Sequence, residues 1–217
     1  GCGVFYAIVV DPLDKNLLYA ATHTGVRRSS DGGSTWSSNL ITGLDGGGSE
    51  VLGISLKPDS TGHILAATSE RGVFRSDDSG MSWVESNQGL ETNMTHKVTY
   101  STSDPSVAYL TTHNGVYRSG DGGRNWKHRS NGLVYEFVSA IAVDPRNADV
   151  AYVGTASELH LFHSRHQQEG LHRGEGIYKT VDGGLNWFLS DRDIEESNLI
   201  VMTPHPKLPF EMWTGAS

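Results

Sequence analysis

The sequence predicts an all-β chain, a β-propeller of four-stranded antiparallel blades, and three observations carry that expectation. An eight-residue pattern, Ser/Thr-x-Asp-x-Gly-x-x-Trp, occurs four times and claims four of the chain's five tryptophans. Its aspartates, Asp31, Asp78, Asp121 and Asp182, stand 47, 43 and 61 residues apart. Between the patterns, short apolar runs alternate with Gly, Pro and Asp turn formers. A period of about 40–50 residues carrying four strands is the repeat of a propeller blade. Such punctuation excludes a helical solenoid.

Taken in order, each unit opens on an apolar run such as Ala7–Val10 or Ala140–Val143, closed by a turn-forming pair. Those pairs are Asp11-Pro12, Lys57-Pro58, Asp104-Pro105 and Asp144-Pro145, with a fifth at His205-Pro206. A second strand follows at Leu17–Thr22, Ile64–Thr68, Ala108–Thr112 and Ala151–Thr155. The third runs through Gly25–Arg28, Gly72–Arg75, Gly115–Arg118 and Gly176–Lys179, and the pattern's tryptophan opens the fourth. The first strand, lying between neighbouring blades, is expected to be buried on both faces. The chain thus divides into blades at about 4–44, 50–90, 96–133 and 138–191, with a partial blade at 198–217. Four complete units and about half a fifth make one propeller segment over 1–217, expected to be an open arc of a larger ring.

The repeated pattern has a structural explanation. Its first positions, Ser29, Ser76, Ser119 and Thr180, and its aspartates can accept backbone N–H groups across a tight turn. Gly33, Gly80, Gly123 and Gly184 supply the positive φ that such a turn needs. Trp36, Trp83, Trp126 and Trp187 offer large apolar areas to the gaps between blades. Four aspartates in identical local settings read as turn clamps, not as catalytic acids. Arg28, Arg75 and Arg118, with Lys179 in the fourth unit, precede the pattern at one fixed place and belong to the same consensus.

In a four-stranded meander the one-to-two and three-to-four turns share one face. The two-to-three turns and the blade-to-blade connections share the other, where the less standardised loops lie. Binding residues concentrate on loops held by a rigid scaffold, so the candidate ligand-binding residues are His23, Glu70, Arg71, His113, Glu158, His160, His163, His166 and Glu175. The long 61-residue interval places an insertion at 157–175 on this second face, with His172 its fourth histidine. His160, His163 and His166 at spacing three could present imidazoles to zinc from a helical turn. The spacing matches no specific metal motif, and the bland alternative is a rim-covering loop with solvated histidines. No metal and no cofactor are expected.

On the four patterns in register, the chain resembles the Asp-box, or BNR-repeat, β-propeller superfamily. Its members include sialidase-like, sortilin-like and xyloglucanase-like propellers and YVTN/BNR-like repeat proteins. The resemblance spans nearly the whole chain and implies that the pattern is a folding motif that brings no activity with it. The arginine-isoleucine-proline motif of sialidases is missing here. The implied function is a non-catalytic, extracytoplasmic scaffold, extracellular or periplasmic, that binds a carbohydrate or protein partner through its two-to-three loops. The alternative is a segment of a xyloglucanase-like glycoside hydrolase, with sialidase activity the weaker version. That alternative needs a carboxylate pair drawn from Glu70, Glu158, Glu169, Glu175, Asp191 and Asp193. With 25 acidic and 17 basic residues the net charge is -8, without a basic cluster, which disfavours nucleic-acid and anionic-membrane partners. No apolar run approaches the roughly 20 residues of a spanning helix. Cys2 is the sole cysteine, so no intrachain disulfide forms. The remaining blades of a parent propeller are the other expected partners.

Overall fold

The computed structural model describes residues 4–37, 50–134, 137–155, 176–191, 199–204 and 212–216, with backbone alone for Asp191 and the last two spans. These residues build sheets from consecutive strands and no helix. The first sheet holds β1 (Phe5–Val10), β2 (Leu18–Thr22) and β3 (Gly25–Ser29). The second holds β4 (Val51–Leu56), β5 (Ile64–Thr68), β6 (Val73–Ser76) and β7 (Val84–Glu85). The third holds β8 (Thr95–Tyr100), β9 (Ala108–Thr112), β10 (Gly115–Ser119) and β11 (Lys127–His128). The fourth holds β12 (Val138–Val143), β13 (Ala151–Thr155), β14 (Ile177–Thr180) and β15 (Phe188–Asp191). A two-stranded sheet, β16 (Leu199–Pro204) and β17 (Met212–Ala216), follows. Every pairing is antiparallel between neighbours in sequence. The first strands lie beside one another in chain order, from β1 to β16. This is an arc of propeller blades, as the repeat period predicts.

The core sits between blades. Leu17, Tyr19, Ala21 and Val26 of the first blade meet Val51, Ile54, Ile64 and Phe74 of the second. Leu65, Ala67 and Val73 then meet Val98, Tyr100, Leu110 and Tyr117. Val107, Tyr109 and Val116 meet Val138, Ile141, Val153 and Tyr178. The second and third sheets therefore each have two apolar faces, one for each neighbour. The strands buried throughout are the second ones, β5, β9 and β13, because they lie inside their sheets and between blades. The first strands differ from the expectation of burial on both faces: β1 leaves Phe5, Ile8 and Val10 exposed, since no sheet among the described residues lies against that side. β8, Thr-His-Lys-Val-Thr-Tyr, is not an apolar run at all.

The repeated pattern forms the turn between third and fourth strands. In each copy the first-position hydroxyl donates to the aspartate, at 2.8 Å from Ser29, Ser76, Ser119 and Thr180 alike. The same oxygen accepts the N–H of Gly33, Gly80, Gly123 or Gly184 at 2.8–2.9 Å. The aspartate's second partner is the residue before the tryptophan, whose N–H and side chain both donate: Thr35, Ser82, Asn125 or Asn186. The pattern leaves that seventh position unspecified, yet it closes the turn. Gly33, Gly80, Gly123 and Gly184 take φ of 81–91°, as the turn requires.

Trp126 and Trp187 staple blades together, whereas Trp83 Nε1 donates to Gly80 O of its own turn. Trp126 Nε1 donates to Ser86 O (2.8 Å) and Trp126 N to Gln88 O (2.9 Å), both just beyond β7 of the preceding blade. Trp187 repeats this against Arg129 O (2.7 Å) and Asn131 O (2.8 Å). Gly32, Ser79, Gly122 and Gly183 donate to carbonyls of the one-to-two turns. Those turns and the repeated motif therefore share the lower rim, and the two-to-three connections occupy the upper rim.

Candidate functional site

At the upper rim every first strand is interrupted at one place. Its pairing skips a residue between Phe5 and Ala7, Val51 and Gly53, Val138 and Ala140, and Leu199 and Val201; in β8 the skip spans Thr95 to Val98. A β-bulge re-aims its side chain and recurs beside functional sites. The bulged positions are Tyr6, Leu52, His96 with Lys97, Ser139 and Ile200. Where the rest of the molecule repeats, these side chains do not.

Two polar arrangements grow from them. Tyr6 Oη donates to Glu50 Oε2 at 2.6 Å, across the first and second blades. Burial, then this carboxylate, push the Tyr6 hydroxyl up to about 12. Between the third and fourth blades, His96 stacks on His113 with ring centroids 4.7 Å apart, and Phe137 lies 4.8 Å from both. His96 is only 7% exposed, and its Nε2 has no hydrogen-bond partner among the described residues. Burial, then the charges of His113 and Lys97, push its imidazole down to about 3. The ring is therefore neutral, with an unused polar atom costing about 1–3 kcal/mol. An orphan of that kind in a native fold calls for a functional reading.

The residues expected at this rim have varied placements. His113 joins the aromatic cluster. His23 is exposed, and its Nδ1 accepts the Val4 N–H at 3.2 Å. Glu70 is exposed. Arg71 reaches away from the inner strands to Glu85 on β7 at 2.8 Å, with its guanidinium 5.2 Å from the Phe74 ring centroid. Glu158, His160, His163, His166, Glu169, His172, Glu175 and Asp193 lie outside the described residues. Among the described residues no three His, Cys, Asp or Glu side chains gather to hold a metal ion. Arg118, part of the repeat consensus, binds Asp149 of the next blade at 2.8 Å.

Sequence reading missed Tyr6, Glu50, His96, Lys97 and Phe137. One signal was available: Thr95-His96-Lys97 stands where the other first strands are largely apolar.

The fold defines the class, a β-propeller, and solved structures agree. The chain overlays on an ancestral GH74 enzyme with a TM-score of 0.70 and 21% identity, covering 98% of this chain and 30% of the enzyme. Against the GH74 xyloglucanase from Xanthomonas campestris the TM-score is 0.70 at 16% identity, covering 100% and 36%. YCF48 bound to D1 peptide gives 0.67 at 14% identity, covering 99% and 60%. The chain therefore spans about a third of the two enzymes and under two thirds of YCF48. No protein-family model and no curated protein matches the sequence.

Proposed function

We propose that the protein is a non-catalytic propeller scaffold of the Asp-box type that binds a carbohydrate or protein partner on its upper rim. The observation that carries this reading is the bulge in every first strand, which sets Tyr6, His96 with Lys97, and Ser139 at the same rim of successive blades. The lower rim, by contrast, spends its polar groups on its own turns. YCF48 bound to D1 peptide, a neighbour in fold, supports the peptide form of this reading. An extracytoplasmic setting belongs to the same proposal.

The test compares rims. Partners captured from the source organism's extract, or glycans retained from an array, should be lost by the quadruple variant His23→Ala, Glu70→Ala, Arg71→Ala, His113→Ala. They should survive Arg124→Ala with Lys127→Ala on the other side. The reverse pattern overturns the upper-rim assignment.

The likeness to GH74 enzymes favours one second reading, a glycoside hydrolase segment. It requires two carboxylates about 5 Å or about 6.5–9.5 Å apart across a cleft. Of the candidate carboxylates only Glu70 has a described side chain. Release of reducing ends from xyloglucan by the protein would establish this reading and displace the first.

A further inference from the structure

Three departures from the repeat coincide where the second blade meets the third. Lys97 precedes Val98, whose counterparts by pairing are Ile8, Ile54 and Ile141. At Lys97's own place the other blades carry Ala7, Gly53 and Ala140. Thr111 stands where they carry Ala21, Ala67 and Gly154, and its Oγ1 accepts the Lys97 N–H at 3.1 Å. Gly53, opposite in the second blade, has no room for a side chain: a Cβ there would lie 2.8 Å from His96 O and 3.0 Å from Lys97 Cα. The hydroxyl pins the bulge, and the glycine lets β8 press against β4.

What this arrangement holds in place is an ammonium. Lys97 Nζ donates to Leu52 O at 2.8 Å, at the bulge of the neighbouring first strand, and no carboxylate pairs with it among the described residues. One carbonyl uses one of its three N–H donors. A half-buried cation is costly unless paired, and burial pushes the Lys97 amine below its ordinary value. Purely structural stapling of β4 to β8 would be served more cheaply by an apolar residue.

We propose that Lys97 is an anion-binding residue whose ammonium, between the second and third blades at the inner upper rim, receives a carboxylate of a peptide partner. The proposal rests on the upper-rim reading above and names its chemistry. The net charge of -8 decides between carboxylate sources. A polyuronide brings one negative charge per sugar against a field of its own sign, whereas a peptide terminus or one acidic side chain brings a single charge to a single cation.

The experiment follows the lysine side-chain resonances of the ¹³C-lysine-labelled chain, with Lys97 assigned by its loss in Lys97→Met. Titrants are acetate, sodium chloride at matched ionic strength, acetyl-Gly-Gly, its C-terminal amide, acetyl-Glu amide and oligogalacturonate. The Lys97 ε-methylene signal should shift saturably with acetate and more tightly with acetyl-Gly-Gly or acetyl-Glu amide. The amide of acetyl-Gly-Gly and chloride should leave it in place. Whichever of the two acids binds tighter identifies a terminus or a side chain as the source. Thr111→Val, which keeps the lysine and frees the bulge, should weaken binding several-fold. An unmoved Lys97 signal, an equal response to chloride (an adventitious ion only), or saturation by oligogalacturonate but not the peptides overturns the proposal. If the quadruple rim variant loses a captured partner while Lys97→Met retains it, the upper-rim reading stands and this one falls. If neither loses it, the upper-rim reading falls, and the titration still decides Lys97.

Discussion

Asp121 accepts hydrogen bonds from Ser119 Oγ, Arg124 N, Asn125 N and Asn125 Nδ2, all within one turn. Burial alone would raise its carboxyl, but the donors of Asn125, Ser119 and Arg124 outweigh it and hold it below the ordinary value of 3.8. The same donor set, led by the Thr35 hydroxyl, holds Asp31 at about 2. A carboxylate whose folded value is depressed stabilises the fold above its unfolded value, and loses that contribution as pH falls through the folded one. Asp121→Ala should therefore lower stability at neutral pH by about 2 kcal/mol, the scale of losing charge-assisted hydrogen bonds. The gap to the parent chain should close as pH falls below about 4 and the carboxyl is protonated. Urea midpoints across that range measure it, and a gap that stays constant would mean the charged carboxylate is not what the turn uses.

At the scale of the element, Trp126 and Trp187 belong energetically to the preceding blade. Trp126 is buried and donates twice to the segment following β7. Trp36, in the first blade, is half-exposed. Trp126→Ala should cost about 3–5 kcal/mol, and Trp36→Ala clearly less, by urea denaturation followed through far-ultraviolet dichroism. Equal losses would mean that the tryptophans stabilise their own turns and not the blade contact. The turn, its glycines and its two rims were legible because each rests on residue types recurring at fixed spacing. The bulges were not, because a bulge is a property of pairing: Tyr6, Leu52, His96 and Ser139 share a register and no chemistry. His96 escaped notice for the same reason, since its partners His113 and Phe137 come from a loop and from the next blade. Arg71 was placed on the correct connection, but a side chain's direction is set by its acceptor, here Glu85 on the outer strand.

For the whole molecule, stability should depend on a position's neighbours more than on its residue type, because each blade buries apolar area only against the next. Ile8 and Ile54 test this, being the same residue at the same register of consecutive first strands. Ile54 is 6% exposed, in one apolar cluster with Tyr19 and Phe74 at the first blade contact, whereas Ile8 is 58% exposed. Phe5 and Val10 share that exposed side, while Thr95, Tyr100, Val138 and Val143 at their registers are buried. An apolar stripe of this kind matches the side that the second, third and fourth blades present to their predecessors, and exposed apolar patches mark interaction surfaces. Ile54→Ala should cost about 2–5 kcal/mol, the range for a buried Ile→Ala change. Ile8→Ala should stay within about 0.5 kcal/mol of the parent, as surface substitutions do. Both are read from urea midpoints at low protein concentration. A large cost at Ile8 that grows with protein concentration would show that two chains cover this side in solution. A large cost independent of concentration would show that the first blade is covered from within the chain.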